Sequence, residues 1–106
     1  MKTDRELTRL AFKAAFNGAD INHDQDMLKR WSPLKDDGDA LRLAVKLGFS
    51  VVRETIKVPI VGIVDSLYGN QLTAFRWAWE PIGDDALAAT RRAIVRAAAA
   101  IGEAMQ

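Results

Sequence analysis

Apolar residues recur at helical spacing near the start of the chain. Between Thr3 and Phe16 they form a narrow stripe, made of Leu7, Leu10, Ala11 and Ala14. Thr3 and Glu6 have the spacing of a capping box, in which side chains satisfy the free N–H groups at a helix start. Asn17-Gly18 is typical of a helix end. We therefore predict a first helix from Thr3 to Phe16.

Two further segments carry helix signals at both ends. The acidic run Asp36-Asp37-Gly38-Asp39 precedes a segment that Gly48 closes. We expect the core face of this second helix to contain Leu41, Ala44 and Val45. The last helix starts at Asp84-Asp85 and runs to Ala104, and its many alanines favour helix and allow a neighbouring element to approach closely. Its expected buried stripe is Leu87, Ile94, Ala98, Ile101 and Met105.

Three strands are predicted between these helices, from segments rich in β-branched and aromatic residues. They cover Phe49 to Lys57, Pro59 to Leu67 and Leu72 to Glu80. A tight turn at Tyr68-Gly69-Asn70-Gln71 separates the last two strands. The third strand alternates, and we expect one of its faces to be core: Thr73, Phe75, Trp77 and Trp79.

The predicted order of elements is α-α-β-β-β-α, in a single domain that covers residues 1–106. Both faces of the three-stranded meander carry apolar residues, and an open face would expose too large an apolar patch for a monomer. The predicted fold class is therefore α+β, a three-stranded antiparallel sheet with helices packed on both faces. The two C-terminal helices lie on one side and the N-terminal helix on the other. In the alternative, a second subunit covers the second face.

The composition excludes several classes of function. With 15 Lys and Arg against 14 Asp and Glu, the net charge of +1 is too small to drive binding to nucleic acid or acidic lipid. The absence of cysteine excludes disulfides, thiolate metal sites and cysteine nucleophiles. No apolar run is long enough to span a bilayer, and no signal-peptide core follows the first residues. We expect a cytoplasmic protein that does not bind membranes.

No group of residues has the full pattern of a metal or cofactor site. The best candidates alternate as in a calcium-binding loop: Asp20, Asn22, Asp24 and Asp26. Met27 and Pro33, however, stand where such a loop needs a glycine and a bidentate carboxylate. Helix capping accounts for the acidic residues before the second helix, and His23 is the only histidine. We therefore expect no metal and no cofactor.

Catalytic motifs are also missing from the chain. No serine stands in a Gly-x-Ser-x-Gly elbow, and the seven glycines are scattered singly rather than grouped in a phosphate-binding loop. Asp65 and Glu80, on neighbouring predicted strands, are the remaining candidates for paired carboxylates. We predict that the protein is not an enzyme.

Three segments of the chain are more distinctive than a short motif. They are Asp4–Leu7, which opens an alanine-containing helix, Trp31–Leu47 (WSPLKDDGDALRLAVKL) and Ala88–Ala99 (AATRRAIVRAAA). Together they resemble the phage ABA sandwich domain family, small proteins encoded in phages and prophages. The resemblance implies a sheet between helical layers and a cytoplasmic location in the bacterial host cell. It implies no known activity.

We therefore predict a small phage or prophage accessory protein that acts as a non-enzymatic binding or interaction module. Loops on a rigid scaffold commonly carry specificity. The expected interaction surface combines the predicted hairpin with arginines: Tyr68, Gly69, Asn70, Arg76, Arg92 and Arg96. The expected partner is an unknown protein, and a homodimer is an open alternative.

The competing hypothesis is a nucleic-acid-binding protein, because α-β-β-β-α is also the order of double-stranded-RNA-binding domains. The aromatic strand residues would then stack on bases, and a small basic patch would contact phosphates: Arg91, Arg92 and Arg96. Two features argue against it. The last helix begins with Asp84-Asp85, where such domains present lysines, and the net charge is close to zero.

Overall fold

The computed structural model describes residues 2–16, 30–55, 59–65 and 76–105. Within these residues the chain forms the helices α1 (Asp4–Ala15), α2 (Asp37–Leu47) and α3 (Ala86–Ala104). The strands are β1 (Phe49–Thr55), β2 (Pro59–Asp65) and β3 (Arg76–Pro81). Helices of 12, 11 and 19 residues outweigh strands of 7, 7 and 6, so the described chain is mostly helical.

Each helix begins at a side chain that caps it. The side chains of Thr3, Asp36 and Asp85 each accept a hydrogen bond from the backbone N–H three residues later. Helix α2 ends at Gly48, whose φ of 72° is the left-handed conformation that a glycine adopts without strain. These helix starts, and the end at Gly48, confirm the predictions from local sequence.

The described strands pair antiparallel in the order β1-β2-β3. The register between β2 and β3 is irregular, since Ile63 lies opposite Ala78 and Val64 lies opposite Arg76. Trp77 is therefore an extra residue on β3, as in a β-bulge. The uninterrupted alternation predicted for the third strand is wrong at this point, because a bulge changes the face to which the following side chains point.

Helix α3 is the element around which the others pack. It contacts α1, α2, β2 and β3 along different parts of its circumference. Its buried residues are mostly small: Ala93, Ile94, Val95, Ala97, Ala98, Ala99 and Gly102. Because alanine adds only one methyl group to the helix surface, neighbours can approach on several sides at once. The alanine-rich sequence of α3 thus makes it the core of the domain.

The fold class predicted from the sequence, a three-stranded antiparallel sheet with helices packed on both faces, is wrong. The N-terminal helix α1 lies against α3, with a smaller contact to α2, instead of covering the far side of the strands. The layer arrangement implied by the resemblance differs from the observed one in the same way. The physical reason is that α3 offers a second flat, small-residue surface, which buries the apolar stripe of α1 more closely than a strand face would.

The predicted core face of α2 is confirmed at Ala44 and wrong at Leu41 and Val45. Leu41 and Val45 are 63% and 71% exposed, and the buried residues of this helix are Asp39, Ala40, Leu43 and Ala44. Leu87, at the start of α3, is 61% exposed rather than buried. Leucine occurs on both sides of α2, so helical spacing alone allowed either side to be the buried one. Contact with α3 selected the side that carries Leu43.

An aromatic cluster connects α1 to the segment before α2. The rings of Phe12 and Trp31 are 5.4 Å apart in an edge-to-face arrangement, and Phe16 lies 4.4 Å from Phe12. The ammonium group of Lys46 lies 4.6 Å from the centre of the Phe16 ring, where a cation–π attraction holds it. Half-buried Trp31 therefore ties the start of this segment to the first helix.

Asp39 is the buried charged residue of the described structure, 8% exposed. Its carboxylate accepts hydrogen bonds from the backbone N–H of Ser32 at 2.8 Å and from the guanidinium of Arg42 at 2.6 Å. Burial raises the pKa of Asp39, but the N–H of Ser32 and the charge of Arg42 outweigh burial and bring the pKa below its ordinary value of 3.8. Ionised Asp39 thus fastens the preceding loop to α2.

We predict that Gly102→Ala lowers the free energy of unfolding by about 2–3 kcal/mol. A Cβ at this position would clash with the carbonyl oxygen of Leu10 and lie 2.8 Å from its carbonyl carbon, which would push α1 off α3. Equilibrium unfolding in urea measures the change. The adjacent exposed variant Glu103→Ala is the control and loses only a surface ion pair, worth about 1 kcal/mol at most. Equal stability of the two variants would contradict the close approach of the helices.

The helix faces predict opposite outcomes for two truncations. Ile94→Ala should destabilise the protein by about 2–5 kcal/mol, because Ile94 is 3% exposed and its loss leaves a cavity in the core. Leu41→Ala should stay within about 0.5 kcal/mol of wild type, since its side chain already lies in solvent. Thermal and urea unfolding of both variants test the assignment. A large loss for Leu41→Ala would mean that the opposite face of α2 is buried.

The lowered pKa of Asp39 predicts an acid-dependent contribution to stability. The folded state favours the ionised carboxylate, so the contribution is complete above the ordinary value of 3.8 and is lost as pH falls through the lower folded pKa. Asp39→Asn should therefore cost about 1–3 kcal/mol at neutral pH, and this difference from wild type should shrink below pH 3.8. Asp84→Asn, an exposed acid on the loop before α3, serves as the control. A difference that is independent of pH would contradict the role of the charge.

Candidate functional site

A cleft of about 480 Å³ opens where the start of α1, the middle of α3 and the end of β3 meet. Its walls are formed by Lys2, Leu7, Glu80, Arg92 and Arg96. Three of these five side chains are cationic and one is anionic. Among the described lining residues, cationic side chains therefore outnumber anionic ones.

Local structure places each of these side chains. Arg92 and Arg96 are one helical turn apart on α3 and so lie on the same side of it, next to the residues that contact α1. Leu7 is buried against the core and holds the first turn of α1 in place. Lys2 lies immediately before the capping residue Thr3, so the fixed helix start also fixes the position of Lys2. Apart from Lys2, the described residues of the cleft thus lie on helices and on a strand.

Arg96 and Glu80 form the innermost ion pair of the cleft. A guanidinium nitrogen of Arg96 lies 2.6 Å from the carboxylate of Glu80, whose side chain is only 15% exposed. The same nitrogen, Nη1, also donates to the backbone carbonyl of Trp79 at 3.4 Å. A carboxylate that is largely removed from water needs a cationic partner. Much of the charge of Arg96 is therefore used in holding β3 against α3.

The other two cations are paired more loosely. Arg92 lies 3.3 Å from the carboxylate of Asp4, and Lys2 lies 2.8 Å from that of Glu103. The side chains of both acids are more than half exposed, at 66% for Asp4 and 58% for Glu103. Solvent-exposed ion pairs contribute about 0–1 kcal/mol each. An incoming anion can therefore replace these carboxylates at small cost.

Two of the residues in the predicted interaction surface line this cleft, Arg92 and Arg96. Arg76 is the first residue of β3, and its side chain lies outside the described part of the structure, as does the predicted turn that contains Tyr68, Gly69 and Asn70. The other cleft residues were not predicted as site residues: Lys2, Leu7 and Glu80. No local motif marks them, because they come together only when α1 docks on α3.

The basic patch predicted from three arginines is split by the fold. Arg91 turns away from the cleft, where its Nε donates to the carbonyl of Leu34 at 2.9 Å and its Nη1 lies 2.5 Å from Asp37. Its side chain is 17% exposed. Arg91 is thus a structural link between α3 and the start of α2. Arg92 and Arg96 alone remain on the cleft side.

The two acidic strand residues do not form a catalytic pair. Glu80 lies opposite Val61 on β2, and Asp65 lies four residues further along the same strand. At about 3.3 Å per residue the two positions are about 13 Å apart, too far for carboxylates to share one proton or one water.

The aromatic face predicted to be core is wrong for Trp79, which is 54% exposed. The side chains of Phe75 and Trp77 lie outside the described part. The candidate calcium loop, with Asp20, Asn22, Asp24 and Asp26, and also His23, falls in residues that the structure does not describe. In the described ranges, no group of three or more His, Cys, Asp or Glu could hold a metal ion.

None of the helices in the described ranges combines the length and the hydropathy needed to cross a bilayer. Comparisons of the chain with known proteins provide no relative, because no family model, no curated protein and no solved structure matches it.

Proposed function

We propose that the protein is a non-enzymatic binding module that holds a phosphate or carboxylate group in the cleft between α1, α3 and β3. The observation that carries the proposal is the convergence of Lys2, Arg92 and Arg96 on one cleft, where Glu80 is the one acid among the described wall residues. The same proposal includes the protein partner expected from the sequence, the phage or prophage origin and the location in the host cytoplasm. The bound group is supplied either by that partner or by a free metabolite.

The dimensions and the chemistry of the cleft support this proposal. A volume of about 480 Å³ is within the range of small-molecule sites. The planar guanidinium of Arg92 matches the geometry of an oxyanion, and it is 44% exposed and therefore accessible. Leu7 adds an apolar contact beside the charges. The expected ligand therefore combines an anionic group with a small apolar part.

The chemistry of the lining supports binding rather than catalysis. Of the wall residues in the described part of the chain, Glu80 is the one of the type that acts as a general base, and its carboxylate is held by Arg96 at 2.6 Å. A base engaged in a charged hydrogen bond and partly buried is poorly placed to take a proton from a ligand. The separation of Arg91 from the other two arginines likewise removes support for the nucleic-acid hypothesis.

Titration with inorganic phosphate, followed by amide chemical shifts at constant ionic strength, tests the proposal. We expect shifts at residues around the cleft, and about tenfold weaker binding for Arg92→Gln, because one charged hydrogen bond is lost. Acetate in place of phosphate shows whether a single carboxylate is enough. Free phosphate and a phosphorylated peptide, titrated in parallel, distinguish a metabolite from a protein-borne group.

Arg5→Gln is the matched control, since Arg5 is an exposed arginine on α1 that does not line the cleft. It should bind phosphate like wild type. Equal weakening by Arg5→Gln and Arg92→Gln would indicate a nonspecific effect of net charge and would contradict the proposed site. Shifts confined to residues away from the cleft would do the same.

A further inference from the structure

The outer face of α2 is apolar although it faces solvent. Val45 and Leu41 are the two most exposed large hydrophobic residues of the described chain, at 71% and 63%. The opposite side of the helix, with Leu43 and Ala44, is buried in the core. Leu41 and Val45 are thus not part of the hydrophobic core of one chain. Neighbouring apolar side chains left in water are typical of a surface that another molecule covers.

Gly38 and the two exposed residues have the spacing of a helix–helix seam. Gly38, Leu41 and Val45 are separated by three and then four residues, which is the spacing of the contact positions in a two-helix coiled coil. At 100° per residue these three positions lie together on the side of α2 opposite its buried face.

The charges on the two sides of this seam are opposite. Asp37 lies on one flank and Arg42 on the other, and their side chains are 58% and 72% exposed. In a parallel helix pair, the residue before one contact position faces the residue five positions later on the partner. Asp37 of one chain would therefore face Arg42 of the other, twice in a symmetric pair. An antiparallel pair would bring the two Arg42 flanks together instead.

Arg42 is held close to this seam. A Cβ at Gly38 would lie 3.2 Å from both terminal guanidinium nitrogens of Arg42, so the guanidinium occupies the space beside the glycine. Its bond to the buried carboxylate of Asp39, at 2.6 Å, restricts its motion. A cation that is already positioned loses little conformational entropy when it meets an acid on a partner.

We propose that the outer face of α2, defined by Gly38, Leu41 and Val45, binds the same face of a second copy of this chain in a parallel, two-fold symmetric pair. The charge pattern fits this occupant, because in a parallel pair of identical faces each acid lies opposite a base. Few apolar side chains take part, so the dimer is weak and forms at high protein concentration.

Two oppositely charged variants test the pairing directly. Alone, Asp37→Lys sets two cations against each other across the seam, and Arg42→Glu sets two acids against each other, so each variant should dimerise at least tenfold more weakly than wild type. In a mixed pair, the lysine introduced at position 37 faces the glutamate introduced at position 42, and Asp37 of the second variant faces Arg42 of the first. Both contacts are attractive, so the mixture should associate like wild type. Sedimentation equilibrium of the separate and mixed chains measures this, and thermal unfolding verifies that each variant is folded.

Asp37→Lys also loses the ion pair with Arg91, and Arg42→Glu loses the ion pair with Asp39, both within one chain. A second test therefore uses side chains that lie in solvent. The double variant Leu41→Ser/Val45→Ser should remain monomeric up to about 1 mM, whereas wild type should shift toward the dimer mass over the same range. Val51→Ser and Trp79→Ser, which remove exposed apolar side chains from the strands, are the controls and should dimerise like wild type. Wild type that stays monomeric, or dimers lost only in the strand variants, would overturn the proposal.

Discussion

The close contact between α1 and α3 is the constraint on which the rest of this structure depends. At Gly102 the backbone of α3 lies so near the carbonyl group of Leu10 that a methyl group does not fit. The adjoining surface of α3 is built from alanine, which lets the helix pack against α1, α2 and the strands together. A larger residue at these positions would separate the layers and expose the apolar side of α1.

The candidate site is a consequence of that contact. Docking of α1 brings Lys2 and Asp4 to the side of α3 that carries Arg92, and the packing of β3 on the same helix brings Glu80 to Arg96. Two cations of the cleft therefore come from α3 and one from the residue before the cap of α1, while their acidic partners come from α1, β3 and α3. The exposure of each pair decides its role, since the largely buried Glu80 must keep its partner, whereas solvent-exposed Asp4 can release Arg92 to a ligand.

Ion pairs of the same kind thus hold the fold together on one side of the helices and line the cleft on the other. Asp39 and Arg42 fasten the loop before α2, and Arg91 joins that loop to α3 through Leu34. On the cleft side, the exposed cations Arg92 and Lys2 are paired with acids that lie largely in solvent. The outer face of α2 combines charge with exposed apolar side chains, so it is suited to a protein surface rather than to a small anion.

The sequence alone determined where the helices begin and, at Gly48, where one ends, because these features depend on hydrogen bonds within four residues of the cap. Only the tertiary structure decided which face of α2 is buried, that α1 covers α3, and that Lys2 and Glu80 join Arg92 and Arg96 around one cleft. Periodicity identifies the apolar sides of an element but not the neighbour that covers each of them. That choice depends on contacts between residues far apart in the chain, such as Leu10 and Gly102, where the size of one side chain sets the distance between two helices.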